Sequence, residues 1–268
     1  MSLMIKRREL LTAAALASAS VALPSFVNSY GDYGTSRLMQ APRLGDGESI
    51  WQWLVLLIDA SSSMSKRFKR MSFYAMQVEA TARALVEPCV VGRLIGSPSG
   101  RTAIGVILWS ARMQQEIAVH WTVVRSIEDV AGVAARLRNT PNYLDSYTGT
   151  AAAVRFAIEQ LNAVYIPPGC RKIINISANG RDNQGGDPAH EAREAERRGI
   201  TINAIVMRGY DGSVEKMYEY YARNVVTRDG LVFKVVREDS ALEALAVANA
   251  SKFCSEIALA PPGIRLLT

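Results

Sequence analysis

Two kinds of hydrophobic pattern alternate along the chain. Short apolar runs typical of buried strands are followed by stretches in which apolar residues recur at helical spacing. Strands that alternate with helices predict a parallel sheet with helices on both faces. The strand-like runs span 51–58, 101–110, 115–124, 172–177, 201–207 and 231–236, and the helix-like stretches span 71–88, 126–138, 149–165, 188–198, 213–225 and 240–257.

One predicted strand departs from the parallel arrangement. Residues 115–124 follow the run 101–110 after only a short loop, and a parallel pair needs a much longer crossover. We therefore expect this strand to pair antiparallel at an edge of the sheet. The predicted fold is one three-layer α/β domain, with a doubly wound, Rossmann-like, mostly parallel sheet and one antiparallel edge strand.

The N-terminus has the pattern of an export signal. A basic start that includes Arg7 and Arg8 precedes an Ala/Leu-rich stretch that ends in small residues at A-x-A spacing. The arginine pair also resembles a twin-arginine signal. We expect residues 1–22 to be removed and the mature protein to be periplasmic or secreted. The alternative is an amphipathic helix that stays attached.

Composition divides the rest of the chain. Residues 23–49 are rich in Gly, Ser, Pro and Tyr without periodicity, which predicts a poorly ordered leader before a domain at 50–258 and a tail at 259–268. No further apolar stretch reaches the ~20 residues that span a bilayer, so stable membrane insertion is not expected. The net charge of +6 comes without a run of five Lys or Arg, so a nucleic-acid partner is not expected either.

The three cysteines do not form a metal-binding pattern. Cys89, Cys170 and Cys254 lie far apart, and both histidines are remote from one another. In a doubly wound fold, the helices return from the carboxyl ends of the strands, so we expect all three cysteines at the opposite face of the domain. At most one disulfide can form among them, and the sequence leaves its pairing open.

The candidate chemistry follows the first predicted strand. In the segment LIDASSSMS, Asp59, Ser61 and Ser63 occupy alternating positions directly after the apolar run. Ligands of such sheets bind beyond the carboxyl ends of the strands, and carboxylate and hydroxyl oxygens suit hard cations such as Mg²⁺ or Mn²⁺. The simpler interpretation is that the serines cap the next helix.

The order of motifs resembles that of a von Willebrand factor A (VWA) domain. LIDASSSMS is similar to the D-x-S-x-S part of that family's metal-ion-dependent adhesion site, the MIDAS. The family adds a threonine at the start of a later helix, and DSYTGTAAAVRFA aligns Thr148 with it and Thr150 with a second family threonine. In KIINISANGRDNQGG, Asn179 stands where the family usually has aspartate, and Tyr147 replaces a glycine.

The resemblance covers about residues 50–256, and the segments ILWS, HWTVV, NISANGRDN and ITINAI look still closer to a bacterial secreted VWA-like family of uncharacterised function. It implies that Ser61, Ser63 and Thr148 bind a divalent ion directly and that Asp59 acts through water. Asn179 would be a neutral substitute, so Mg²⁺ or Mn²⁺ would bind weakly, and a carboxylate from a protein or peptide partner would complete the coordination shell.

Two neighbours of these positions are accessory candidates, Thr150 and Asp182. The leading hypothesis is therefore an exported module that binds a carboxylate through a MIDAS-like site. The alternative is a metal-free VWA scaffold that contacts proteins through its helical faces.

Catalysis is not expected. Ser61 stands where haloacid-dehalogenase-type enzymes need a second acid, Pro98 where a G-x-S-x-G nucleophile elbow needs serine, and Glu194 where H-E-x-x-H needs histidine. A hydrolase with a different kind of site remains as a third class of function.

Overall fold

The computed structural model describes residues 37–68, 70–96, 101–208, 213–235 and 241–257. The predicted signal peptide, residues 23–36 of the predicted leader and the predicted tail at 259–268 lie outside these ranges. Within them, no helix is both long and apolar enough to cross a bilayer.

The elements follow the predicted alternation of strands and helices. In chain order they are β1 (Ile50–Asp59), α1 (Ser62–Ser65), β2 (Arg67–Phe68), β3 (Met71–Ser72), α2 (Phe73–Leu85), α3 (Pro88–Ile95), β4 (Arg101–Trp109), β5 (Gln115–Val124), α4 (Ile127–Arg138), α5 (Thr150–Asn162), β6 (Arg171–Ala178), α6 (Pro188–Arg197), β7 (Ile200–Val206), α7 (Val214–Asn224), β8 (Val232–Lys234) and α8 (Ala241–Glu256).

The six-stranded sheet confirms the predicted fold. Its strand order is β5-β4-β1-β6-β7-β8. The central strand β1 pairs in parallel with β4 and β6, while β5 pairs antiparallel with β4 at one edge. Every residue of β1 is buried because hydrophobic layers cover both faces of the sheet, which explains why this strand is a continuous apolar run.

The predicted helix at 71–88 is shorter than expected. In the structure α2 ends at Leu85 and a separate helix, α3, begins at Pro88. Proline lacks an N–H and cannot continue a helix, but it suits the first helical turn, where no partner is needed. A proline after a helical pattern predicts the end of a helix, but Pro88 also begins α3, which the pattern does not predict.

The folded unit begins at Arg37 rather than at residue 50. Residues 37–49, which were predicted to belong to the leader, are part of this unit, although most of them are exposed. Met39 is buried, and its main-chain N–H donates to Gln160 Oε1 at 2.7 Å. Glu48 forms an ion pair with Arg125 at 2.7 Å. These contacts are made by single residues without any periodicity, so the sequence pattern does not show them.

A disulfide joins Cys89 of α3 to Cys254 of α8, with 6.1 Å between their Cα atoms. The thiol of Cys170 is free and donates to the carbonyl of Ile50, at the start of β1, at 3.3 Å. The structure therefore agrees with the prediction of at most one disulfide, and it supplies the pairing that the sequence left open.

Helix α4 begins with a capping box, in which the cap residue and the third helical residue bond each other's main-chain N–H groups. Ser126 Oγ accepts the Asp129 N–H at 3.3 Å, and Asp129 Oδ2 accepts the Ser126 N–H at 3.2 Å. Because this capping box satisfies two helix-end donors, Ser126→Ala is expected to lower the free energy of unfolding by about 1 kcal/mol. Urea unfolding of the mature protein measures the loss. The control Ser255→Ala, on an exposed position of α8, is expected to cost nothing, and equal unfolding midpoints for the two variants would contradict the assignment.

Candidate metal centre

Asp59 is the last residue of β1 and lies at the carboxyl edge of the sheet. The Asp59 side chain is fully buried. Asp59 Oδ1 accepts the Ser61 N–H at 2.9 Å, and Oδ2 accepts the Asn179 N–H at 3.4 Å. Burial raises the pKa of Asp59 to about 6, and hydrogen bonds from Ser61 and the Asn179 N–H oppose that rise. A cation beside the carboxylate would further favour its charged form.

A buried glutamine that the sequence analysis missed holds the end of β1. Gln77 of α2 donates from Nε2 to the main-chain oxygen of Asp59 at 2.9 Å. Its side chain is fully buried among the apolar residues of α2. The position of this glutamine on the apolar face of a predicted helix could have indicated a buried hydrogen bond, since a buried amide needs a specific partner.

The hydroxyl groups of the serine loop face one another and Asn179. Ser61 Oγ and Ser63 Oγ lie 3.1 Å apart, and Ser63 Oγ donates to Asn179 Oδ1 at 2.6 Å. The turn of α1 places these alternating serines on the same side as the end of β6. The structure thus brings Asp59, Ser61, Ser63 and Asn179 close together.

Thr148 lies on the loop before α5, and hydrogen bonds from the loop after β6 hold it in place. Its N–H donates to Asn183 Oδ1 at 2.8 Å, and its carbonyl accepts the Asn183 N–H at 2.9 Å. A Cβ at position 180 would lie 3.0 Å from Thr148 Oγ1, so Gly180 permits this close approach. The Ser62 N–H donates to the carbonyl of Ser146 at 2.7 Å and joins this loop to the serine loop. Asn183 is a positioning residue that the sequence analysis did not identify.

The two accessory candidates differ in their surroundings. Thr150, the first residue of α5, is fully buried, and its hydroxyl has no hydrogen-bond partner within the described part of the chain. Asp182 accepts main-chain N–H groups from Ala151 at 2.9 Å, Gln184 at 3.0 Å and Gly186 at 3.1 Å. The Asp182 carboxylate therefore holds the glycine loop against the start of α5.

Ser110 and Tyr221 also shape the site and were not predicted. Ser110 Oγ accepts the Ser146 N–H at 3.1 Å and donates to the carbonyl of Tyr147 at 2.9 Å. Tyr221 donates its hydroxyl to the carbonyl of Gly180 at 2.9 Å. Ser110 directly follows β4, so its position at a strand end was a usable signal. Tyr221 lies within the helical pattern of α7, and nothing in the sequence distinguished it from a packing residue.

An open cleft of about 570 Å³ lies over these groups. Its lining combines the hydroxyls and amide of the site with cationic, aromatic and apolar side chains: Ser62, Ser63, Lys66, Tyr147, Thr148, Asn179, Gly180, Arg181, Asp182, Asn183 and Met217. The side chain of Tyr147 is 63% exposed. A volume of this size is in the usual range for ligand sites.

The side chains present fit a hard divalent cation. Neighbouring ligands of an octahedral Mg²⁺ at ~2.1 Å are about 3 Å apart, and Ser61 Oγ and Ser63 Oγ are separated by 3.1 Å. Every donor is an oxygen, with Asp59 as the anion among the hydroxyls and the amide. No group of three or more His, Cys, Asp and Glu that could hold a metal occurs among the described residues, so the candidate centre rests on hydroxyl ligands.

Known structures share this fold at low sequence identity. Proximal thread matrix protein 1 from the mussel byssus is 18% identical with a TM-score of 0.54, and the alignment covers 76% of this chain and 47% of that one. Another structure of that protein, with a zinc-occupied MIDAS motif, is 14% identical over 76% of this chain and 46% of that one, with a TM-score of 0.53.

Two further structures extend the comparison. The pilus adhesin SpaC from Lactobacillus rhamnosus GG is 15% identical over 78% of this chain and 31% of that one, with a TM-score of 0.55. The SpRpn10 VWA domain is 10% identical over 74% of this chain and 94% of that one, with a TM-score of 0.53. The chain thus spans about half of the mussel protein and about a third of the adhesin. Identities this low show a common fold and nothing more.

A comparison with sequence families assigns the chain to one of them. No curated protein is similar to the chain. The family model described as "Protein of unknown function (DUF1194)" matches residues 50–260, which include every element from β1 to α8. The chain therefore belongs to the DUF1194 family, and its fold is that of a VWA domain.

Proposed function

We propose that this protein is an exported binding module that recognises a carboxylate of a protein or peptide through a divalent ion, Mg²⁺ or Mn²⁺, at the candidate metal centre. Ser61, Ser63 and Thr148 would hold the ion, with Asp59 and Asn179 beside them. When bound, the ion supplies a positive charge that attracts the ligand carboxylate. Neither catalysis nor nucleic-acid binding is part of this proposal.

One observation carries the proposal. The hydroxyls of Ser61 and Ser63 lie 3.1 Å apart, Ser61 is in hydrogen-bond contact with the buried carboxylate of Asp59, and Ser63 lines the open cleft. Buried or partly buried hydroxyls that only capped a helix would bind main-chain N–H groups, but Ser61 makes no side-chain cap hydrogen bond to α1. The zinc-occupied MIDAS motif of the mussel protein supports the same interpretation.

A specific contact favours the second candidate, a metal-free scaffold that binds proteins through its helical faces. Ser63 donates to Asn179 Oδ1 at 2.6 Å, so the amide satisfies this hydroxyl without an ion. An aspartate at position 179 would add a second anion near Asp59, and the repulsion between the two carboxylates would favour the binding of a cation. The choice between the two candidates therefore depends on whether the neutral site binds metal.

Titration of the mature protein with Mg²⁺ and Mn²⁺ decides between them. The hydroxyl site predicts weak binding, because only one carboxylate, Asp59, contributes a negative charge among the proposed ligands. Isothermal calorimetry with up to millimolar metal measures the affinity. The titration is repeated with Ca²⁺, which is a larger ion. Absence of heat with Mg²⁺ and Mn²⁺, for both the wild type and Asn179→Asp, would remove the metal proposal and leave the scaffold.

A further inference from the structure

The loop before α5 presents an aromatic ring beside the candidate metal centre. Tyr147 directly precedes Thr148, a proposed ligand of the ion, and both residues line the same cleft as Ser63. Thr148 is buried, whereas the side chain of Tyr147 is 63% exposed. Consecutive Cα atoms are about 3.8 Å apart, so the exposed ring begins one residue away from the hydroxyl that would hold the ion.

The main chain that carries this ring is held at three points. Ser110 Oγ donates to the carbonyl of Tyr147 at 2.9 Å and accepts the Ser146 N–H at 3.1 Å. The Ser62 N–H donates to the carbonyl of Ser146 at 2.7 Å. An exposed tyrosine on a fixed main chain offers a large contact area and loses little conformational freedom when a ligand covers it. Tyr147 therefore has the properties of a binding residue rather than of a mobile surface side chain.

A second exposed apolar side chain lies on the neighbouring turn. Met113, in the turn between β4 and β5, is 73% exposed. This turn packs against the loop of Tyr147, since a Cβ at Gly149 would lie 2.9 Å from the main-chain nitrogen of Arg112. Single exposed apolar residues need no explanation, but these two lie on adjacent loops beside a cleft that is proposed to bind a ligand. They extend that cleft with an apolar surface.

We infer that the ligand is a peptide segment in which a large apolar side chain lies two positions from the acidic residue that binds the ion. This inference rests on the proposed function and names its ligand class. In an extended segment, alternate side chains point to the same side, and residues two positions apart are about 6.6 Å apart. When the acid points to the ion, the side chain two positions away therefore meets the ring of Tyr147. Tyr147 is then the residue that determines specificity, and Met113 extends the contact.

The size of the preference follows from the contact between two aromatic rings. Such a contact strengthens binding by up to about tenfold beyond the effect of the area that it buries. We therefore expect about a tenfold preference for a peptide with phenylalanine two positions from the acid over one with glycine there. The preference should persist as salt is added, because salt screens charges and this contact involves none.

Calorimetry on the mature protein in saturating Mg²⁺ tests this with three blocked pentapeptides that each carry one carboxylate. Phe-Gly-Asp-Gly-Phe has phenylalanine two positions from the acid on both sides, so that it covers both directions of the peptide chain. Gly-Phe-Asp-Phe-Gly moves the same side chains next to the acid, and Gly-Gly-Asp-Gly-Gly lacks them. The wild type is expected to bind the first peptide about tenfold more tightly than either of the others.

Substitutions at the proposed contact should change this ratio of affinities. Tyr147→Ser is expected to remove most of the preference and Tyr147→Phe to retain it, because the ring makes the contact. Met113→Ser is expected to reduce the preference by about twofold, because Met113 lies at the margin of the surface. Each ratio compares two peptides on one variant, so a change in metal affinity cancels. The matched control Tyr165→Ser alters a tyrosine that is 84% exposed beyond the opposite end of α5, about 20 Å along the helix, and should leave the ratio unchanged.

A second measurement does not depend on affinity. Benzoylphenylalanine takes the place of the phenylalanines in Phe-Gly-Asp-Gly-Phe. Under light its ketone abstracts a hydrogen from a neighbouring C–H group, and the two carbon radicals combine. In the presence of Mg²⁺ this probe should become linked to Tyr147 or Met113, and mass spectrometry identifies the linked residue.

The outcomes separate the two proposals. Mg²⁺-dependent binding of all three peptides with equal affinity overturns the inference and leaves the proposed function intact. Equal affinity for the two phenylalanine peptides overturns the spacing of two positions. A preference that survives in Tyr147→Ser overturns the assignment of Tyr147. If none of the peptides binds in the presence of Mg²⁺, the carboxylate-binding function falls, and the inference falls with it.

Discussion

Ser61→Ala and Thr148→Ala are each expected to abolish the binding of Mg²⁺ and Mn²⁺. Each substitution removes a hydroxyl oxygen from the proposed site, in which mostly uncharged ligands would hold the ion weakly. Neither changes the apolar core, since both side chains lie at the edge of the sheet, on loops that main-chain hydrogen bonds hold in place. Calorimetry with millimolar metal measures the loss, and circular dichroism shows whether the fold persists.

The serine loop and the threonine each offer a matched control. Ser62 is exposed and lies between the two serines of the site, so Ser62→Ala should leave metal binding unchanged. Thr148→Ser keeps the hydroxyl and removes a methyl group, so it should retain binding. If Ser61→Ala binds metal as tightly as Ser62→Ala does, the hydroxyl of Ser61 is not a ligand.

The sequence predicts the fold well because its main signals are local. A strand buried on both faces must be apolar throughout, and β1 shows this directly. The short connection before β5 likewise excludes a parallel pairing with β4. Element ends were less predictable, since Pro88 both ends one helical pattern and begins the next helix.

The candidate site was predictable in part for the same reason. Asp59, Ser61 and Ser63 are neighbours in the chain, so their spacing alone suggests that they converge. Thr148 and Asn179 lie more than 80 residues further along the sequence, and only the resemblance to the VWA family connected them to the first three. The contact of 2.6 Å between Ser63 and Asn179 depends on the tertiary structure and has no local signal.

Buried charges show the limit of sequence reasoning most clearly. Lys252 and Glu256 are four residues apart on α8, a spacing typical of an exposed helical pair, yet both side chains are only 1% exposed. Glu256 accepts a hydrogen bond from Asn175 of β6, and burial raises the pKa of Glu256 to about 7. Only the packing of α8 on the sheet reveals that this pair is internal.

Asn179→Asp is expected to strengthen metal binding by about 10- to 100-fold, the range typical of groups that support metal ligands. The substitution restores a negative charge 2.6 Å from the hydroxyl of Ser63, at the position of the present amide oxygen. Asp182 does not already supply that charge to the ion in full, because its carboxylate accepts three main-chain N–H groups. Calorimetry with Mg²⁺ measures the gain.

The same substitution should also make stability depend on metal. The Asn179 N–H contacts the Asp59 carboxylate, so an aspartate at position 179 places two carboxylates close together, and like charges repel when no cation lies between them. Asn179→Asp is therefore expected to unfold at lower temperature than the wild type in chelator and to regain stability with Mg²⁺, because a ligand that binds only the folded state stabilises it.

Asn162→Asp provides the control for charge alone. Asn162 is exposed at the C-terminal end of α5, about 18 Å along the helix from its start beside Thr148. Asn162→Asp adds the same charge to the protein far from the hydroxyls, so the metal affinity of this variant should equal that of the wild type. Equal gains in Asn162→Asp and Asn179→Asp would show a general electrostatic effect. A gain confined to Asn179→Asp identifies position 179 as the residue that keeps this site weak in the absence of a partner carboxylate.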